Sequence, residues 1–311
     1  MRTIPFIYKV FIITTLMLAV SCSNGPTAVK PFALPSVPSL LQTEEERTEY
    51  LCAHFWDNLD AADTLLLNDR TALEDFFVMY VSLLGQQDKA AAARNVRSFL
   101  YSKIGDNESW AAAIMELATK YLYHVHSPLL NEELYIPFAQ YAVERSFWNE
   151  ADAMSFAFSL DVAQANRPGS VAADFSFVTA DGEQRNMHSL QARYLLLFFN
   201  DPECDVCRGY KEALSSNGFM RALVEGGMLL PLMVYTEGVE DVWQQHKDEH
   251  PEGWLSVFDC DESIRMQRIY NLRAMPSLYL LDKDKSVIFK DIALEPLLAY
   301  FKKLCIESSR R

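Results

Sequence analysis

The chain has 311 residues, half of them hydrophobic and 23% charged, with 11 Gly and 13 Pro. That composition excludes a disordered or collagen-like chain, and six Cys over this length exclude a disulfide-stapled miniprotein. A net charge of −14 argues against nucleic-acid binding, which needs Lys and Arg against phosphate, and the length suits two domains.

Arg2 and Lys9 precede Val10–Val20, an apolar run of 11 residues interrupted by Thr14 and Thr15. A membrane span needs about 20 apolar residues, so the run has the size of a signal-peptide core. Leu18-Ala19-Val20-Ser21-Cys22 resembles the lipobox of bacterial lipoproteins. The resemblance implies a signal peptide over 1–21, lipid attachment at Cys22 and tethering to a membrane, each acyl CH₂ contributing ~0.8 kcal/mol. The segment 22–42 contains Pro26, Pro31, Pro35 and Pro38 and is expected to be an extended tether. The expected location is the cell envelope, facing the periplasm. There disulfides persist, so the remaining Cys52, Cys204, Cys207, Cys260 and Cys305 matter; their odd number forbids complete pairing within one chain.

Residues 43–166 are expected to form an all-α domain of about six helices. Thr43-x-x-Glu46 and Thr71-x-x-Glu74 both fit the capping box. Tyr50, Leu51, His54, Phe55 and Leu59 lie close to a helical stripe, as do Phe76, Phe77, Tyr80, Leu83 and Leu84. Further amphipathic runs cover 89–104, 108–125, 132–147 and 149–165. This segment holds 20 acidic and 8 basic residues, and its acidity reads as a solvated surface. His124 and His126 are two apart and so do not share a helix face, which speaks against a metal pair. Trp56, Trp110 and Trp148 are expected in the core. Asn166-Arg167-Pro168-Gly169-Ser170 reads as a linker, and the second domain is expected over 170–311.

From Val171 the pattern changes. Asp174–Val178 alternates as a strand and Asp181-Gly182 suits a tight turn. Residues 193–199 form a continuous apolar run, as in a strand buried on both faces. Strands are also expected over 228–235, 254–258, 277–281 and 286–290. Helices are expected over 208–214, 239–249, 262–270 and 295–303.

The apolar run leads into Cys204-Asp205-Val206-Cys207. A CxxC that leaves a buried strand and opens a helix carries its chemistry in its geometry. The first Cys meets unpaired N–H groups and the positive end of the helix, which favour a thiolate, and the second lies one turn away on the same face. Attack by Cys204, a mixed disulfide, and resolution by Cys207 would follow.

These residues resemble the thioredoxin fold, specifically exported TlpA/ResA-type thiol–disulfide oxidoreductases. The Asp174-Phe-x-Phe opening with Asp181-Gly182, the strand–CxxC–helix unit, Met275-Pro276-Ser277, and Tyr279–Asp282 followed by Val287-Ile288 carry the resemblance. It implies an α/β thioredoxin-like domain after the helical one, with catalytic Cys204 and Cys207. It also implies a cis-Pro loop in which Met275 and Pro276 support the substrate. The partners implied are a protein substrate and a redox partner protein, with no cofactor. The layout also resembles two-domain Bacteroidota lipoproteins in which an uncharacterised helical domain precedes a thioredoxin-like one.

Two departures stand out. Glu203 occupies the place where the family usually has Trp, and Phe198 the place of thioredoxin's buried acid. Asp201, Glu203 and Asp205 oppose a thiolate on the first Cys, while Arg208 and the helix terminus favour one. A less stable thiolate points to a reductant or isomerase-like protein. Two alternatives remain: a binding scaffold with a static disulfide, or a zinc site joining the CxxC to His246 and His250. The 38 residues between Cys207 and His246 fit no usual zinc finger. Cys52, Cys260 and Cys305 read as small buried hydrophobes, with Cys260 an alternative extra resolving thiol.

Overall fold

The computed structural model describes residues 32–62 and 64–308. The expected signal peptide, Cys22 and the first part of the tether lie outside them.

Among the described residues seven α-helices come first: α1 (Glu44–His54), α2 (Leu65–Asn68), α3 (Arg70–Leu84), α4 (Lys89–Phe99), α5 (Glu108–Ala118), α6 (Glu132–Val143) and α7 (Glu150–Gln164). Their starts follow from side-chain acceptors. The Thr43–Glu46 capping box forms as expected, Thr43 Oγ1 accepting from Glu46 N–H at 3.1 Å and Glu46 Oε2 from Thr43 N–H at 3.1 Å. The second box does not form. Asp69 caps α3 instead, accepting the Ala72 N–H at 3.1 Å, because a carboxylate at the positive helix end is the stronger acceptor. Glu74 is thereby released to meet Lys120 and Tyr121. Asp88, Asn107, Asn131 and Asn149 cap α4 to α7, each worth roughly 1 kcal/mol.

The apolar stripes meet in one core around Phe77, Tyr80, Trp110, Ile114 and Phe138. Trp56 is also buried, whereas Trp148 is only half-buried against this core. Phe32 belongs to the same core, its ring against Phe55, Trp56 and Phe76. The later part of the expected tether is therefore seated on the helical unit.

A seven-stranded mixed sheet follows, built from β1 (Ser176–Thr179), β2 (Gln184–Asn186), β3 (Tyr194–Phe199), β4 (Leu229–Tyr235), β5 (Leu255–Phe258), β6 (Ser277–Asp282) and β7 (Val287–Phe289) in the order β2-β1-β5-β4-β3-β6-β7. Strand β3 is parallel to β4 and antiparallel to β6. Its side chains alternate: Leu195, Leu197 and Phe199 enter one core, Leu196 and Phe198 the other. Burial on both faces explains why the sequence there is continuously apolar. Helices α8 (Asp205–Ser216), α9 (Gly218–Glu225) and α12 (Leu294–Ser308) close the second core through Leu214, Met220, Leu223, Leu297 and Phe301. Helices α10 (Glu240–His246) and α11 (Ser263–Met266) complete the elements.

Three expectations are corrected. The helix expected over 262–270 shrinks to α11, because Glu262 (φ 49°) and Arg268 (φ 53°) are left-handed and end it on both sides. Helix α9 was not anticipated; Asn217 starts it by accepting the Phe219 and Met220 N–H groups at 3.0 and 3.1 Å. Cys260 is exposed and Cys305 half-buried, because Cys260 lies past the end of β5 and Cys305 near the end of α12. Cys52 is buried as expected.

The breaker cluster 166–170 is not a free linker. Asn166 (φ 49°) donates through Nδ2 to the Ile269 carbonyl at 2.6 Å and accepts the Ala173 N–H at 2.8 Å. Gly169 N–H donates to the Val287 carbonyl, and Val287 N–H to the Ser170 carbonyl, both at 2.8 Å. The connection thus extends the sheet edge beyond β7.

Candidate functional site

Strand β3 ends at Phe199, and five residues later Cys204 becomes the N-cap of α8. The Asp201 carbonyl accepts the Cys204 N–H at 3.1 Å and its carboxylate the Glu203 N–H at 2.9 Å, which turns the chain sharply into the helix. Cys204 Sγ then accepts the Cys207 N–H at 3.3 Å. The expected geometry is present: one sulfur at the helix N-terminus, the other one turn along the same face.

The two sulfurs differ in environment. Cys204 is half-buried, while Cys207 is 2% exposed. Burial pushes the Cys207 thiol up to about 12, with the neighbouring Cys204 sulfur and the Asp201 charge adding to it against a lowering contribution from the Asp201 backbone. An accessible first sulfur and an inner, protonated second one suit a stepwise exchange.

The surroundings are acidic. Asp205 pairs with Arg208 at 2.9 Å on the exposed side of α8, and Glu237, just past the end of β4, pairs with Arg265. Burial first, then Asp201, Glu237 and Glu203, push the Tyr235 phenol up to about 12. Val206, between the two sulfurs, is 57% exposed and offers an apolar contact on an otherwise charged rim.

Met275 and Pro276 lie where the sequence places them. The Met275–Pro276 bond is cis. Pairing of β3 with β6 sets Phe199 opposite Ser277, so this loop and the CxxC turn leave the sheet at one end. Met275 and Cys204 pack against the same core that contains Cys207. The four residues Cys204, Cys207, Met275 and Pro276 are therefore brought together, and Cys22 lies outside the described residues.

Phe198 is fully buried behind Cys207. A narrow cleft beneath the inner sulfur is lined by Asn200, Asp201, Lys211, His246 and Glu249 as well as by Phe198 and Cys207. The cleft has room for about one water beside the inner sulfur. His246 reaches this cleft but pairs with Glu249 at 3.1 Å, while His250 Nδ1 lies 3.2 Å from the Pro251 carbonyl. Among the described residues no group of three or more His, Cys, Asp or Glu side chains could hold a metal ion.

One set of residues next to this loop was not foreseen: Glu132, Asn271, Arg273 and Lys290. They join the loop to the helical unit, and their sequence separations of up to about 160 residues left no local signal.

Residues 15–166 match a family described as a domain of unknown function, DUF5106. A thioredoxin-like protein from Bacteroides caccae is 33% identical, with a TM-score of 0.82 over 88% of this chain and 99% of that one. The C-terminal domain of an uncharacterized protein from Bacteroides fragilis is 31% identical over 44% of this chain and 98% of that one, with a TM-score of 0.43. Nucleoredoxin of Bos taurus is 27% identical over 121 residues, and the chain spans about 27% of its length. With both units matched in one relative and the strand–CxxC–helix unit in place, this chain belongs to the thioredoxin-like protein family.

Proposed function

We propose that the protein is a thiol–disulfide oxidoreductase acting on protein disulfides, working as a reductant or isomerase. The observation that carries this reading is the pairing of a half-exposed Cys204 at a helix N-terminus with a buried Cys207 whose N–H points at its sulfur.

The exchange runs in two displacements. Cys204, as thiolate, attacks one sulfur of a substrate disulfide; that S–S bond breaks, a Cys204–substrate bond forms, and the leaving thiolate takes up a proton. Cys207 loses its proton to water in the cleft and attacks Cys204 Sγ, releasing the second substrate thiol. Two electrons have then moved to the substrate, and Cys204 and Cys207 hold a disulfide that a redox partner protein reduces. In the isomerase mode the substrate's own thiol resolves the first intermediate. Met275 and Pro276 support the substrate chain beside Cys204. Asp201, Glu203 and Asp205 give the rim around Cys204 an acidic character that a basic substrate chain would complement. Cys22 carries the lipid that tethers the protein in the cell envelope.

Trapping tests the reading. A Cys207→Ser variant is expected to accumulate disulfide-linked partners that disappear in Cys204→Ser, and the wild-type protein to reduce insulin. Absence of both partners and turnover would favour the second reading, a binding scaffold with a static disulfide, which Phe198 in place of an acid supports. Equilibration with glutathione tests the direction: a potential as high as about −120 mV would make it an oxidant.

A further inference from the structure

Glu132, the first residue of α6, receives three donors from the thioredoxin-like unit. Arg273 reaches Oε1 at 2.6 Å, Asn271 Nδ2 reaches the same oxygen at 2.9 Å, and Lys290 Nζ reaches Oε2 at 2.7 Å. Arg273 also donates to the Tyr123 carbonyl, and its guanidinium lies 4.1 Å from the centre of the Tyr123 ring. That ring is stacked in turn on Tyr135 of α6 at 4.6 Å. The Glu132, Arg273 and Lys290 side chains are 12%, 20% and 5% exposed.

Asn271 and Arg273 open the stretch that ends in Met275, Pro276 and Ser277. The far end is tied as well. Ser277 Oγ lies 3.0 Å from the Asp291 carboxylate and 3.0 Å from the Ala274 carbonyl. Lys290, beside Asp291, donates to the carbonyls of Val162, Ala163 and Ala165 at the end of α7, at 2.9, 3.1 and 2.6 Å. A planar guanidinium held by a carboxylate, a carbonyl and a ring has one orientation, so the backbone that carries it has little freedom. A loop already fixed in its bound shape loses less entropy when a peptide settles on it. The match with the Bacteroides caccae protein spans both units together, as a fixed mutual placement requires.

We propose that the helical unit is a clamp for the peptide-supporting loop 271–277, with Glu132 and Arg273 as positioning residues that set substrate affinity. The proposal rests on the oxidoreductase reading above. It gives the helical unit a role in that activity although, among the described residues, it contributes none to the cleft at Cys207.

The test uses the full chain and Arg273→Met, which leaves Glu132 paired with Lys290. Amides of 271–277 are expected to exchange hydrogen about tenfold faster while β3 stays protected. KM for a peptide disulfide is expected to rise about fivefold with kcat and the alkylation rate of Cys204 within about twofold of wild type. Arg273→Lys keeps the charge but cannot bridge Glu132 and Tyr123 as a plane, and is expected to fall between the two. Arg167→Gln, which removes a different bond between the units, is expected to leave exchange of 271–277 and KM unchanged. Wild-type exchange rates in the loop, or faster exchange with unchanged KM, overturn the proposal. If Arg273→Met loses protection in β3, the Arg273→Lys variant decides, and wild-type loop exchange there overturns it. A wild-type protein that reduces no peptide disulfide fails the oxidoreductase reading, and loop exchange then decides the clamp alone.

Discussion

Cys207 N–H points at Cys204 Sγ across 3.3 Å, so the two sulfurs share one helix turn but not one environment. The outer sulfur meets solvent and the inner one is 2% exposed. This difference orders their reactivity.

In the folded, reduced protein at pH 7.5, iodoacetamide is expected to modify Cys204 well before Cys207. The folded Cys207 thiol sits at about 12, above the ~8.5 of an unfolded thiol. Its contribution to stability is therefore complete below ~8.5 and is lost as pH rises from there through the folded value. Peptide mapping after timed alkylation reads the order, and equal rates at both sulfurs would show that Cys207 is not shielded.

Glu132→Gln leaves Arg273 and Lys290 buried around a neutral group. Breaking a buried ion pair on one side costs about 3–5 kcal/mol, and the low exposure of all three side chains places this site in that range. Urea unfolding of the reduced protein measures it. A loss under about 1 kcal/mol would mean that water reaches the cluster.

Glu133 pairs with Arg167 at 2.6 Å and with Lys89 at 3.6 Å. Burial raises its carboxyl, but Arg167 and then Lys89 outweigh that and hold it below the ordinary range. A lowered carboxyl contributes stability above the unfolded value of ~4.3 and loses it as pH falls through the folded one. The stability difference between wild type and Glu133→Gln is thus expected to be constant from pH 5 to 7 and to shrink below about pH 4. A difference that persists at pH 2 would show that the carboxylate charge is not its source.

Cys260 is exposed, and its thiol is raised by partial burial first and then by Asp261. Cys260→Ser is expected to leave insulin reduction within about twofold and stability within about 0.5 kcal/mol. A large loss of turnover would restore Cys260 as a resolving thiol.

The proposed lipid attachment at Cys22 is tested by metabolic labelling with palmitate. Cys22→Ala is expected to abolish labelling and to move the protein from the membrane to the soluble fraction. Label retained by the variant would place the acyl chains elsewhere.

The elements that could be read from sequence share one property: their signal is local. The run 193–199 is apolar without a break because β3 is buried on both faces, and the capping box of α1 needs only Thr43 and Glu46. The CxxC turn is likewise contained in nine consecutive residues from Asn200 to Arg208. The second capping box misled because Asp69 caps α3 two residues earlier, which leaves Thr71 inside the helix rather than at its start. Cys260 misled because apolar neighbours in sequence do not define burial at the end of a strand.

By itself, the sequence determined a helical half, an α/β half and a cysteine pair at a strand–helix turn, since periodicity, caps and spacing operate over a few residues. Only the tertiary structure decided that the breaker cluster at 166–170 would be pinned to the sheet edge, that Cys207 would be sealed beneath Cys204, and that Glu132 would meet Arg273. Those outcomes depend on which distant surfaces exclude water together, and a carboxylate gains its partner 141 residues away only when both have left solvent.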